Sequence, residues 1–214
     1  MAATSENGRF SDAHAERFTH RLETFFDIVL GLCLGMMSLN LALPRHAVNV
    51  YTQPLALAAF AFTFLVVALV WYSHNRLFEY FFVPTPLTTT LNFVTLALVV
   101  WLVYQLQVYV HFQGTGEGVI AATSYIVTFS IVWLMLMALF AISMRIRWDA
   151  IVTHERRIGI LSIARLGTIG VGSLATLALT HAVGWAPENV FVAIFFWAAL
   201  GRAIGPIVVR RLAR

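Results

Sequence analysis

RLETFFDIVLGLCLGMMSLNLALP, residues 21–44, is the stretch whose reading decides the fold. It opens on an arginine, closes on a proline, and carries no charge from Ile28 to Leu43. Extended back to Arg21 it is long enough to cross a bilayer, which takes about 20 apolar residues. One acid, Asp27, sits about two turns inside. A carboxylate in a spanning helix costs roughly 2.5–3.5 kcal/mol at the centre and less near an end. The pattern therefore predicts a partner for Asp27 on a neighbouring helix. Leu32, Met36, Leu39 and Leu43 recur at helical spacing and form one apolar face. Gly31, Gly35 and Ser38 lie roughly 100° round and form a small-residue face that admits close approach by another helix. Plain packing or lipid contact is the usual meaning of such stripes; the alternative is that one of them lines a path for ions.

The rest of the chain is of the same kind. It has 214 residues, 60% hydrophobic and 11% charged, against about 25% charged in soluble domains. The fold class expected is all-α, a polytopic membrane protein with six transmembrane helices. All 14 basic residues are arginine. In a membrane chain these are topology determinants, and nucleic acid is not an expected partner. The single Cys33 lies in mid-span, reads as a small buried hydrophobe and excludes an intrachain disulfide. Residues 1–18 are polar, lack the apolar core of a cleavable signal peptide, and read as a flexible or interfacial cytoplasmic leader to a single domain over 19–214.

Six spans fit the hydropathy: about 19–43, 54–80, 87–111, 118–144, 157–182 and 188–208. Pro54 suits the first turn of the second span, and Pro84 with Pro86 breaks the chain after it. With six spans both termini share one side, and that side collects every arginine but Arg45. The positive-inside rule then puts both termini in the cytoplasm, for a protein of the inner (plasma) membrane. Trp148 and Trp185 fall near interfaces and suit an aromatic belt. Arg165 and Arg202, one to two turns from the cytoplasmic side, read as snorkelling residues.

Polar residues gather near the cytoplasmic ends of the first three spans: Arg21 and Asp27, then Trp71, His74 and Asn75, then Asn92. Arg21 and Asp27, six residues apart, do not face each other on a helix. Each is expected to reach a neighbouring helix, with His74 the natural partner of Asp27. This is either a hydrogen-bonded latch at the membrane edge or a proton-relay pair or gate latch that titrates near neutral pH. No metalloprotease motif, paired carboxylates on one face, phosphate loop or nucleophile elbow occurs. The seven histidines lack metal-ligand spacing. Neither an enzyme nor a metal or cofactor site is expected.

Arg21-Leu22-x-x-Phe25-x-Asp27, followed by an apolar helix ending in Leu-x-Leu-x-Pro44, resembles the RxxxFSD signature of the potassium channels called transmembrane protein 175. Trp71-x-x-His74-x-Arg76-Leu77-Phe78 looks like that family's second helix, and Leu91-Asn92 matches the start of its third. The resemblance covers roughly the first hundred residues. It implies a homotetramer of six-span subunits whose first helices line a central pore. It further implies a constriction of apolar side chains at Leu32, with Met36 and Leu39 beyond it, in place of a carbonyl filter. It also implies an interhelical network of Arg21, Asp27, Trp71, His74 and Asn92. Phe26 stands where the signature has serine, and Gly35 where some members have a pore threonine. The segment ETFFD is also similar to the low-temperature-requirement A membrane proteins, over a shorter match.

The expectation is therefore a cation channel, for potassium or other monovalent cations, conducting passively through that pore in a lipid bilayer. The alternatives are a proton-coupled transporter using Asp27 and His74, and a non-conducting membrane scaffold.

Overall fold

The computed structural model describes residues 4–39, 54–112, 114–184 and 189–212. Among these there are six helices and no strand: α1 (Thr4–Leu39), α2 (Pro54–Tyr80), α3 (Pro86–Phe112), α4 (Gly116–Ile146), α5 (Thr153–Val183) and α6 (Asn189–Leu212). Each expected span falls on one helix. Residues 40–53, which include the end of the first expected span and the loop after it, lie outside the described residues, as does most of the VGWAPE connection. Helices α3, α4 and α5 are each long and apolar enough to cross a membrane.

Helix α1 departs from expectation at its start. The polar leader is helical and continuous with the apolar run, giving 36 residues, or about 54 Å. About 30 Å suffices for the hydrocarbon core. His14, Ala15 and Phe18 of the extra length face the α2–α3 connection across an open groove lined there by Pro84, Thr85, Pro86, Thr89 and Thr90.

Local chemistry places the ends. Proline opens α2 and α3, where a missing N–H costs nothing. Before α3, the Thr85 N–H donates to Thr88 Oγ1 at 2.9 Å while the Thr88 N–H donates to Thr85 Oγ1 at 3.2 Å, a reciprocal cap. Thr115 caps α4 by accepting from the Gly118 N–H at 3.2 Å. Glu155 accepts from the Val152 N–H at 3.3 Å at the start of α5. That helix stops at Gly184, whose φ of 74° suits glycine. The α4–α5 connection is tied back by Arg147 Nη1, which donates to the Tyr80 carbonyl at 3.0 Å.

Consecutive helices pack as neighbours from α3 through α6, while α1 packs against α2 and α3. The core runs along α4, where Tyr125, Phe129, Leu136 and Phe140 are almost wholly buried. With lipid outside, close backbone approach and polar contacts hold such a bundle together better than hydrophobicity. The α5–α6 contact illustrates this. A Cβ on Gly201 would lie 3.2 Å from Arg165 Cα and 3.3 Å from its carbonyl oxygen. Gly172 lies under the Trp197 ring, whose Nε1 donates to Thr176 Oγ1 at 2.9 Å.

Replacing Gly201 with leucine forces these two backbones apart. The variant is expected to lose about 1–3 kcal/mol of stability, read as a lower unfolding temperature by circular dichroism in detergent.

Candidate functional site

Helix α1 has two unlike faces. Leu22, Phe26, Leu30, Cys33 and Met37 are buried, at helical spacing, on the side turned to α2 and α3. Phe25, Ile28, Leu32 and Met36 follow a second side, roughly a third of a turn round, and Leu32 and Met36 are each 63% exposed. The side chain of Leu39 lies outside the described residues. A Cβ added at Gly31 or Gly35 would meet nothing within 4 Å. The small-residue face expected to receive a helix therefore receives none among the described residues.

Side-chain chemistry fixes which face turns inward. Phe26 is fully buried and stacks on the His74 ring, with centroids 3.5 Å apart and planes 9° from parallel. His74 also stacks on Phe78 at 4.3 Å, and Phe78 on Phe82 at 4.1 Å. His74 Nε2 lies 2.8 Å from Asn92 Oδ1, joining α2 to α3. Because that oxygen only accepts, Nε2 carries the proton. The other ring nitrogen, Nδ1, is buried with no hydrogen-bond partner. Phe25, next in sequence, meets Phe93 of α3 edge-on at 6.0 Å.

Asp27 is not bound to His74. Its Oδ1 accepts from Trp71 Nε1 at 2.8 Å, and both residues are exposed. The expected Asp27–His74 pair is thereby corrected. The two residues are engaged separately, one by an indole N–H and the other by an amide, and no hydrogen-bonded route joins them. The reason is helical spacing. Trp71 and His74 are three residues apart on one side of α2, yet Trp71 reaches the rim where Asp27 lies while His74 is sealed beneath Phe26. Arg21 is exposed and makes no hydrogen bond or ion pair among the described residues. The five polar residues thus form two separate pairs and one exposed cation.

A polar link in the middle of the bundle escaped sequence reasoning. Buried Gln105 of α3, with its amide set by its neighbours, donates to Thr128 Oγ1 at 2.8 Å. It also accepts from Ser124 Oγ at 2.6 Å and from Trp101 Nε1 at 2.8 Å. A glutamine inside a spanning segment was the available signal. Among the described residues no group of three or more His, Cys, Asp or Glu is placed to hold a metal.

Asn92→Leu leaves a buried His74 Nε2–H without an acceptor and is expected to cost about 1–3 kcal/mol. Trp71→Phe removes only a rim hydrogen bond and should cost less. The order of the two unfolding temperatures, measured in detergent, checks this assignment.

Residues 21–102 match the family model described as the endosomal/lysosomal potassium channel TMEM175. No curated protein matches the chain significantly. Among solved structures it is similar to a threonine-to-alanine variant of the potassium channel MtTMEM175, crystallised with a nanobody fusion. The identity is 17% and the TM-score 0.59, over 90% of this chain and 93% of that one. That likeness is one of fold, and it extends to the helices beyond the family match. The resemblance to this family therefore stands as a match and a fold: residues 21–102 carry the TMEM175 potassium channel family match, and 90% of the chain is similar in fold to a TMEM175 channel.

Proposed function

We propose that this protein is a channel for monovalent cations, potassium first among them, that conducts passively as a homotetramer around a pore lined by α1. The observation that carries the reading is the outward face of α1. Leu32 and Met36 stand exposed beside an exposed Asp27 and Arg21 and next to the open Gly31 and Gly35. A purely lipid-facing helix would avoid charges and would not keep a small-residue seam. A face shared with other copies around an aqueous axis accommodates both.

In this reading Leu32, Met36 and Leu39 contribute successive apolar rings, with Leu32 the constriction. Such rings gate by dewetting, so conduction requires widening or hydration of the ring. The Asp27–Trp71 and His74–Asn92 pairs hold α1 at the angle that points those side chains to the axis, and Arg21 contributes positive charge at the entrance. Residues 1–18 form the cytoplasmic leader, both termini are cytoplasmic, and the membrane is the inner (plasma) membrane. The family to which residues 21–102 are matched is one of channels rather than enzymes. Proton coupling through Asp27 and His74 is not favoured, since each side chain is hydrogen-bonded to a different partner.

Reconstituted into liposomes with a potassium gradient, the protein should give flux above protein-free liposomes. Leu32→Asn should raise that flux by about tenfold, equal to a barrier lower by ~1.4 kcal/mol. A folded oligomer that passes no potassium in either form would establish a non-conducting scaffold instead.

A further inference from the structure

Two guanidinium groups from two helices line one cleft with no acid in its wall, and an arginine of a third helix lies nearby. Arg76 of α2 and Arg165 of α5 line one small cleft together with Tyr72, Ser73 and Ser162. Arg202 of α6 lies near enough that its charge, like that of Arg76, acts on Arg165. Among the described residues none of the three pairs with a carboxylate. Glu79 and Glu155 lie on this side as well, and both act with Arg76 on Tyr80, but neither lines the cleft.

Position makes this arrangement costly to leave empty. Arg165 is twelve residues into α5, and Arg202 is ten residues before the end of α6. These are depths of about 18 and 15 Å along the helices. With α5 centred in a bilayer, the Arg165 backbone sits roughly 10 Å below the hydrocarbon boundary. Simple snorkelling would leave such a side chain free at the interface, but Arg165 is half-buried in the cleft. Like charges repel more strongly as water is withdrawn. Arg76 is also held in place, with its guanidinium carbon 5.8 Å from the Tyr72 ring centre. Ser73 and Ser162 donate to the carbonyls of Leu69 and Ile158 in their own helices. The remaining donors in the lining are the Tyr72 hydroxyl and the guanidinium N–H groups, whose planar forks match phosphate oxygens. The enclosed part of the cleft holds about 20 Å³, little more than a water molecule, and it opens outward, so a phosphate would sit at its mouth with only oxygens reaching in.

We propose that this cleft binds one phosphate anion, as the headgroup of an acidic phospholipid or as free phosphate, with Arg76, Arg165 and Arg202 as its ligands. The site is independent of the α1 face, and its occupancy is read whether or not the protein conducts.

The test is calorimetric titration of the full-length protein, in an uncharged detergent, with dioctanoyl phosphatidylglycerol, dioctanoyl phosphatidylcholine and inorganic phosphate. Phosphatidylglycerol should bind at least tenfold more tightly than phosphatidylcholine, and Arg165→Gln and Arg202→Gln should each weaken it at least tenfold. If inorganic phosphate binds as tightly as the lipid and shows the same loss in the variants, the source is free phosphate; if only the lipid binds, it is a headgroup. Should Arg165→Gln fail to fold, the exposed Arg202 decides through Arg202→Gln. Equal binding of the two lipids, equal binding by wild type and variants, or binding of neither lipid nor phosphate overturns the proposal. So does an Arg202→Gln variant that loses its oligomeric state while binding is unchanged, which would assign the arginine to a subunit contact.

Discussion

The orientation of α1 rests on one buried stack, Phe26 against His74, with His74 bonded to Asn92. An imidazole inside a membrane bundle must have a hydrogen-bond partner and a close-fitting apolar surround. Asn92 supplies the first from α3, and Phe26 with Phe78 supplies the second. Because Phe26 belongs to α1, the stack ties three helices at one point and fixes the rotation of the first. Once Phe26 points inward, helical periodicity turns Leu32 and Met36 outward, with Asp27 at the rim where Trp71 can reach it. The arrangement of the candidate site follows from that rotation.

Much of this was legible beforehand. The six hydrophobic runs and their proline and glycine punctuation mark the helices to within a few residues at most ends, because apolar length and turn chemistry are local properties. The residues RLETFFD, Trp71, His74 and Asn92 were recognisable as a constellation. The pairing among them was not, because Trp71 and His74 share a side of α2 and only packing decides which one Asp27 meets. Phe26 reads in sequence as a lost hydroxyl; in the fold it is the ring that seals His74. Polar composition left a flexible or an interfacial leader open, and a helix already nucleated by the apolar run extends through it at little cost.

The two halves of the molecule are built by different means. The α1–α3 part, where the family match lies, is joined by aromatic stacking and two specific hydrogen bonds. The α3–α6 part is joined by glycine contacts, by the Gln105 link and by the long packed face of α4. Helix α1 packs on α2 and α3. A helix attached along one side, over a firmly packed remainder, leaves its other side uncovered among the described residues.

Spin labelling at position 32 tests this account most directly. In a Cys33→Ala background, Leu32→Cys carrying a nitroxide in reconstituted protein should show strong dipolar coupling between labels clustered about a common axis, with low access to lipid-dissolved oxygen. Labels that are uncoupled and freely reached by oxygen would place Leu32 against lipid and contradict the account.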